Sequence, residues 1–223
     1  STLPADGAPE RGASSVAHTT PLEEQVFSAA YEKKGEGKLT DALRSFENMF
    51  TRYATTYDDR TKARILIEIA TLQFMLGDYD AATECARKAC ATGFDSDAAH
   101  IILGKCALAQ FRFGPARGYF EKVSPTHVGR YLGLSLGALR MRRTQDAARF
   151  MSQAQQAENF MRNDPEFKVL SIYLIFLQGD IAGAVSSART FAHDCPRDTS
   201  LLLLLAEVMV IGDLALFTHQ SGN

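Results

Sequence analysis

A two-residue turn signal, Gly-Asp, recurs along this sequence and constrains its fold more than any other feature. Gly77, Gly179 and Gly212 are each followed by aspartate. Gly77 and Gly179 are 102 residues apart, which is three times 34, and Gly179 and Gly212 are 33 apart. Glycine just beyond a helix end adopts the left-handed conformation without steric cost. Recurrence near 34 residues is typical of stacked helix pairs, none of which can bury its apolar face alone.

The sequence between these turns has the pattern of helices. From Pro21 onward it shows no convincing period-2 alternation, and prolines fall where helices are expected to begin or end, at Pro115, Pro125, Pro165 and Pro196. Apolar residues make up 46% of the chain, which suffices for a core without disulfides or metals. We therefore predict an all-α fold, a right-handed α-solenoid of stacked antiparallel helix pairs.

Small residues indicate where the helices of each pair pack closely. Alanines recur near the start of each expected second helix, with spacings of 40, 34, 31 and 37 residues, at Ala42, Ala82, Ala116, Ala147 and Ala184. The spacing predicts about five units followed by a terminal helix. This last helix begins at Thr199 and is expected to end at Gly212, where the third Gly-Asp pair stands.

These features resemble the tetratricopeptide repeat (TPR) family. The family's unit has a Leu-Gly or Leu-Ala pair in its first helix, Gly-x-Tyr near the turn, and alanine with an aromatic residue in its second helix. The matching residues are Leu66, Ile69, Ala70, Gly77, Tyr79, Ala82 and Ala89 in one unit, Leu103, Gly104, Ala116 and Phe120 in the next, and Gly179, Ala184 and Pro196 in a third. The resemblance extends over about residues 23–217.

The resemblance also implies where a partner would bind. In the family, the first helix of each unit lines a concave groove. The corresponding residues here are Ile67, Thr71, Phe74, Ile101, Lys105, Leu108, Leu132, Leu136, Tyr173 and Phe176. This largely apolar face would suit an amphipathic helix or an apolar extended segment of another protein. Lys105 is the one cation at a position that some members use to bind a terminal carboxylate, so such a clamp is not expected.

The same apolar stripe has a second interpretation. A helix that is apolar nearly all round is usually buried, so the stripe is also what an intramolecular core would look like. In that case the groove is part of the core or is filled by the chain's own terminal helix.

The two ends of the chain differ in composition from its body. Residues 1–22 contain Pro4, Gly7, Pro9 and Gly12 but few bulky apolar side chains. Such a segment cannot bury enough surface to offset its chain entropy. We predict a flexible or partner-bound arm at residues 1–22, a helical-repeat domain at 23–217 and a short tail at 218–223.

The charge distribution argues against direct nucleic-acid binding. A net charge of −2 provides no general phosphate-binding surface, so we expect nucleic acid only indirectly, inside a ribonucleoprotein. The densest basic run comprises Arg140, Arg142 and Arg143. We interpret it as a solvated helix end, with contact to an acidic partner or to RNA phosphates as the alternative.

The sequence contains no motif that would carry catalysis or hold a cofactor. P-loop, G-x-G-x-x-G, H-E-x-x-H and G-x-S-x-G patterns are all missing. Cys85, Cys90, Cys106 and Cys195 form no C-x-x-C pair, so we interpret them as small apolar core residues rather than zinc ligands. The most apolar run, residues 200–211, includes Glu207 and is too short to span a bilayer. We predict no enzyme activity, no cofactor, no metal and no membrane span.

Together these features predict a non-catalytic protein–protein interaction scaffold, a subunit or adaptor of a larger multiprotein assembly. Two alternatives stay open: an assembly chaperone or import receptor that binds clients transiently, and a helical-repeat RNA-associated protein. The sequence is compatible with a monomer and with a homo-oligomer. Free cysteines favour an intracellular, reducing compartment. Ser1 fits both a mitochondrial protein with a removed presequence and a cytosolic protein without its initiator methionine.

Overall fold

The computed structural model describes residues 21–53, 55–192 and 199–221. Within these ranges the chain forms eleven α-helices and no β-strand. In chain order the helices are α1 (Pro21–Gly35), α2 (Leu39–Tyr53), α3 (Asp59–Met75), α4 (Tyr79–Ala91), α5 (Ser96–Ala109), α6 (Phe113–Phe120), α7 (Val128–Arg140), α8 (Thr144–Ala154), α9 (Pro165–Leu177), α10 (Ile181–Phe191) and α11 (Thr199–Ser221). The prediction of an all-α fold is confirmed.

The helices stack as pairs. Across the described ranges, α1–α2, α3–α4, α5–α6, α7–α8 and α9–α10 each pack together through a connection of three residues. The second helix of one pair packs against the first helix of the next, and α11 packs on both α9 and α10. This sequential packing, in which contacts are made mainly between neighbouring units, defines an α-solenoid.

One residue of every three-residue connection has a left-handed backbone. These residues are Gly37, Gly77, Phe111, Arg142 and Gly179. Five residues after each of them lies a fully buried alanine at the start of the second helix: Ala42, Ala82, Ala116, Ala147 and Ala184. The irregular spacing of the alanines is therefore the spacing of the turns themselves. Each unit keeps the same local geometry while the loops between units change length.

Aspartate side chains explain where several helices begin. The carboxylates of Asp58, Asp78, Asp164 and Asp180 each accept a hydrogen bond of 2.7–3.1 Å from the backbone N–H three residues later. This is the N-cap interaction, which satisfies one of the unpaired N–H groups at a helix start. Hydrogen bonds from the Thr61 side chain and backbone hold the pKa of Asp58 below its usual value. The aspartate of each Gly-Asp turn signal at 77–78 and 179–180 thus starts the second helix.

The closest helix contacts surround Phe120, whose side chain is 1% exposed. Its ring lies against Gly104 of α5 and Gly133 of α7, and a Cβ atom at either glycine would overlap it. In the next unit the Ser135 hydroxyl donates to the Ala147 carbonyl oxygen at 3.4 Å, again across two helices. Small residues on the first helix therefore allow the second helix to approach closely.

The predicted end of the terminal helix is wrong. α11 continues through Gly212 and ends at Ser221. Gly212 is buried, and a Cβ atom there would meet Val185 of α10. The glycine is therefore a close-packing position inside α11 rather than a turn. The boundary predicted at residue 217 falls within this helix.

The predicted N-terminal arm falls almost entirely on residues 1–20, which lie outside the described ranges. α1 begins at Pro21, next to the boundary that composition suggested. The arm and the domain limits stay predictions.

Candidate protein-binding surfaces

The first helices of the pairs form the inner curve of the solenoid. α3 contacts α5, α5 contacts α7, α7 contacts α9 and α9 contacts α11. This is the surface on which the sequence places the ten groove residues. It is the first candidate site for a protein partner.

The ten predicted groove residues divide into two groups. Phe74, Leu108, Leu132, Leu136 and Tyr173 are buried, each 5% exposed or less. The other five, Ile67, Thr71, Ile101, Lys105 and Phe176, are half-buried. A binding role for these residues stays a prediction, but the buried group already packs within the chain.

The burial is greatest in α7. All eight residues from 132 to 139 are buried, because α5, α8 and α9 all pack around this helix. Leu132 and Leu136 therefore belong to the continuous core of the second half of the chain.

Two ion pairs bridge units that are not neighbours in sequence. Lys105 Nζ of α5 lies 2.8 Å from Glu166 Oε2 of α9, and both side chains are less than one-fifth exposed. Arg142, in the α7–α8 turn, lies 2.7 Å from Glu207 Oε1 of α11. Each pair therefore joins one unit to the next but one. Of the predicted groove residues that are not buried, Ile67, Thr71 and Ile101 lie in the first half of the groove and Phe176 lies in the second.

Polar contacts lie along the edge of the first half of the groove. Glu68 accepts from Lys34 Nζ at 2.7 Å and from the Tyr31 hydroxyl at 3.2 Å. The Arg64 guanidinium lies 4.8 Å from the centre of the Phe27 ring. Burial raises the pKa of Tyr31, so its hydroxyl is a neutral donor here. A partner entering from this side meets an apolar floor with charges of both signs at its rim.

The basic run at the end of α7 is partly neutralised within the chain. Arg142 pairs with Glu207 and lies 5.8 Å from the ring centre of Tyr173. Burial, together with a hydrogen bond to Glu207, raises the pKa of Tyr173 to about 12. These contacts tie the α7–α8 turn to α9 and α11.

A small cavity of ≈ 60 Å³ lies between α6 and α8, with an apolar floor and three arginines at its rim. Arg117 binds Glu121 at 2.7 Å and Arg149 binds Asp146 at 2.9 Å. Most of the positive charge is thus paired with carboxylates of the same chain. The volume is several times the roughly 10–15 Å³ that one buried water needs.

The cysteines in the described ranges are free thiols. Cys85 and Cys90 are half-buried and Cys106 is fully buried. Burial raises the pKa of all three thiols, that of Cys106 to about 11. Cys195 lies outside the described ranges.

The described part of the chain offers neither a metal-binding cluster nor a membrane-spanning helix. It contains no cluster of three or more His, Cys, Asp or Glu side chains that could hold a metal ion. None of its helices combines the length and the hydropathy that crossing a bilayer requires.

The outer face of α11 is the second candidate surface, and the sequence analysis did not anticipate it. Leu201, Leu204, Leu205 and Val208 are buried on the side that faces α9 and α10. On the opposite side, large apolar residues are 43–62% exposed: Leu202, Leu203, Val210, Ile211 and Leu214. The sequence signal for this face was present, because a run of leucines that continues all round a helix cannot be covered by one neighbouring unit.

Comparisons with known proteins bear on the fold. No protein-family model matches the sequence, and no curated protein matches it. Solved structures do match. A thermophilic TPR protein from Thermus thermophilus superposes with a TM-score of 0.63 at 17% sequence identity, over 84% of this chain and 98% of that chain.

Two further structures agree with the first. A tetratricopeptide repeat protein from Parabacteroides merdae gives a TM-score of 0.60 at 18% identity, over 88% of this chain and 73% of that chain. PilF from Pseudomonas aeruginosa gives a TM-score of 0.55 at 18% identity, over 90% of this chain and 92% of that chain. The chain therefore has a TPR-like helical-repeat fold, and the resemblance seen in the sequence is confirmed at that level.

Proposed function

We propose that this protein is a non-catalytic protein–protein interaction scaffold, and that it is a subunit or adaptor of a larger multiprotein assembly. The TPR-like fold supports an interaction scaffold in general terms. Stacked helix pairs produce an extended surface on a rigid frame, which suits the binding of other proteins.

The observation that carries the proposal is the exposed apolar face of α11. Five large apolar side chains on one side of this helix are 43–62% exposed. Contiguous apolar surface of this kind marks protein–protein contacts, because each Å² removed from water contributes about 25 cal/mol. A protein partner that covers α11 would remove this surface from water.

The first half of the concave groove offers a second contact. Ile67, Thr71 and Ile101 are half-buried there, and the apolar floor suits an amphipathic helix or an extended segment. Residues 1–20 would act as a third contact by wrapping around a neighbouring protein, as their composition suggests. A permanent subunit uses several such contacts at once.

Affinity purification of the full chain from its own cells tests this function. Mass spectrometry at moderate salt should find a fixed set of proteins in stoichiometric amounts. A diffuse set of substoichiometric clients would instead favour the assembly chaperone or import receptor, and RNA in the eluate would favour the RNA-associated alternative. Recovery of the chain alone would contradict the proposal.

A further inference from the structure

Positive charge is concentrated in the middle of the chain. Between Asp97 and Glu158 the sequence has nine lysines and arginines but only two acids, Glu121 and Asp146, which gives this segment a net charge of +7. The remainder of the chain has 15 basic and 24 acidic residues. The segment covers nearly all of α5 and the whole of α6, α7 and α8. Its field attracts anionic groups to these two units, although the chain as a whole is slightly acidic.

Much of this charge is not neutralised by the chain itself. Four of the nine cations pair with carboxylates in the described part of the chain, and the other five do not. Arg130, for example, donates instead to the backbone carbonyl oxygens of Glu121 and Val123, at 2.7 and 2.6 Å. Arg143, just before α8, is exposed and is another of the five. The segment therefore keeps cations that an acidic partner can use.

The cavity between α6 and α8 lies inside this basic segment. Its rim carries Arg117, Arg143 and Arg149 together with one carboxylate, Asp146. Asp146 is 2.9 Å from Arg149, and Arg117 is 2.7 Å from Glu121. Arg143 is the rim cation that no carboxylate in the described ranges neutralises. It can donate a charge-assisted hydrogen bond to an incoming carboxylate without breaking an ion pair.

A glycine keeps the cavity open. Gly137 is buried on α7 and lines the cavity, yet a Cβ atom there would touch only Leu108 Cδ2, at an ordinary distance of 3.6 Å. Gly133 differs, because a Cβ atom there would overlap the Phe120 ring. Close packing thus requires glycine at position 133 but not at 137. Because glycine destabilises a helix interior relative to alanine, Gly137 weakens α7 and leaves an apolar space beside the arginines.

The volume of the cavity indicates what it can accommodate. At ≈ 60 Å³ it is less than half as large as the cavity of about 150 Å³ that holds a benzene ring. A free organic ligand with its own anionic group is therefore too large to be enclosed. A single aliphatic side chain is of suitable size, and the floor that it would meet includes Leu108, Phe120 and Leu134.

We propose that this cavity takes one aliphatic side chain of an acidic segment of another protein, whose flanking carboxylates bind Arg143 and the cations around it. This inference rests on the proposed scaffold function and names the chemistry of a partner. Burial of the aliphatic group contributes affinity, while the carboxylates steer the segment and fix its position. A nucleic-acid backbone would pair with the arginines but would leave the apolar floor uncovered, so the cavity favours a peptide.

The N-terminal segment of the chain does not have this chemistry. Among residues 1–20, which lie outside the described ranges, Leu3 and Val16 are the aliphatic residues larger than alanine. Neither has an acidic residue within two positions. This segment is therefore not the proposed occupant.

A phage-displayed library of random peptides tests the inference. The library is first depleted on Gly137→Met, which removes peptides that bind elsewhere, and is then selected on the full-length wild-type chain. Methionine can fill an irregular gap and replaces a helix glycine, so this variant should melt at or above the wild-type temperature. Selection should enrich peptides in which leucine, isoleucine or methionine stands beside two or more acidic residues.

Fluorescence anisotropy with an enriched peptide then measures affinity. Gly137→Met should weaken binding by at least about tenfold, because its side chain occupies the cavity, and Arg143→Glu should weaken it as much by repelling the flanking carboxylates. The matched control is Arg87→Glu, which makes the same change of charge at an exposed position on α4 and should bind like wild type. If Gly137→Met does not fold, Arg143→Glu serves for the depletion as well.

The inference is wrong if no peptide is enriched, if the enriched peptides lack acids, or if Arg143→Glu and Arg87→Glu bind alike. It is also wrong if a short polyuridine RNA binds wild type more tightly than the peptide does, because the basic surface would then serve phosphates. A melting temperature lowered in both Gly137→Met and Arg143→Glu would show that a segment of the chain itself fills the cavity. If affinity purification nevertheless recovers stoichiometric partners, this inference fails while the scaffold function stands.

Discussion

Two residues with positive φ, Phe111 and Arg142, occupy positions that glycine fills in the other three-residue connections. Their φ angles are 58° and 59°. A side chain in the left-handed region costs roughly 1–2 kcal/mol, because its Cβ crowds the following carbonyl. Arg142 has compensating contacts with Glu207 and Tyr173. Phe111 is 71% exposed, so burial offsets little of its cost.

We therefore expect Phe111→Gly to stabilise the protein. Relief of the left-handed strain outweighs the extra chain entropy of glycine in the unfolded state, for a net gain of about 0.5–1 kcal/mol. Urea denaturation measures this gain. Gly77→Ala is the reverse change at the equivalent turn and should destabilise. A loss of stability in Phe111→Gly would show instead that the Phe111 ring makes stabilising contacts within the isolated protein.

Gly104→Leu should destabilise strongly. The Phe120 ring already abuts Gly104 and Gly133, so it has no room to yield to a new side chain. Overpacking of this kind costs about 1–3 kcal/mol or more. The matched control is Gly118→Leu, because open space surrounds Gly118 on α6. Thermal melts that place both variants near wild type would contradict the packing described around Phe120.

The cysteines should differ in reactivity. A thiol-reactive reagent at roughly pH 8 attacks the thiolate. Because burial raises the pKa of Cys106 to about 11, this thiol stays protonated and should be labelled more slowly than half-buried Cys85 and Cys90. Because burial disfavours the Cys106 thiolate, the folded state keeps its full stability below the usual thiol pKa of 9.0 and loses stability as the pH rises through about 11. Peptide mapping of the labelled chain measures the three rates, and equal rates would contradict the burial.

At the scale of single elements, the ion pairs between next-but-one units hold the second half of the solenoid together. Lys105 and Glu166 join α5 to α9 across α7, with side chains 18% and 19% exposed. This position explains why one groove residue of the sequence analysis is a cation on an otherwise apolar face. The Lys105 ammonium group is paired with a carboxylate of the same chain.

A double-mutant cycle should find coupling between these two residues. Replacing Lys105 and Glu166 by methionine and glutamine, singly and together, should give a coupling free energy of about 1 kcal/mol. Lys88 and Glu84 form the control pair, since they are 57% and 69% exposed on α4. Their coupling should be too small to measure. Additive effects of Lys105→Met and Glu166→Gln would mean that this ion pair does not couple α5 to α9.

α7 and α11 are both strongly apolar helices, but they differ in how much of their surface is buried. Residues 132–139 of α7 are all buried because neighbours cover every side. α11 is comparably apolar, yet one side of it has no neighbouring helix in the described ranges. The leucines of α7 therefore stabilise the fold, whereas the outer leucines of α11 are available to a partner.

At the scale of the whole molecule, the fold was predictable because its determinants are local. The turns at Gly77 and Gly179 and the alanines five residues beyond are short-range signals. The turns at Phe111 and Arg142 carry no such signal, since non-glycine residues occupy the left-handed position in both. Gly212 was misread because glycine serves equally at a helix end and at a close contact within a helix.

The surfaces were less predictable than the fold. Whether Leu132 or Tyr173 lines an open groove depends on how tightly successive units curve, and that curvature is set by contacts between α5, α7 and α9. The exposed face of α11 depends on which side of this apolar helix α9 and α10 cover, and that contact is seen only in the structure.

Deletion of residues 1–20 addresses the predicted arm. The shortened chain should melt at the wild-type temperature, because the segment has little apolar surface to bury. Its association with partners in an affinity purification should weaken. A large fall in melting temperature would mean instead that the arm packs on its own solenoid.

Amide hydrogen exchange of α11 tests the central claim most directly. It should be measured by mass spectrometry in the isolated full chain and in the assembly purified from its own cells. If a partner covers this helix, the amides of residues 202–214 should exchange at least about tenfold more slowly in the assembly. Those of α4, covered by its own neighbours in both samples, should not change. Equal exchange of α11 in the two samples would contradict the account.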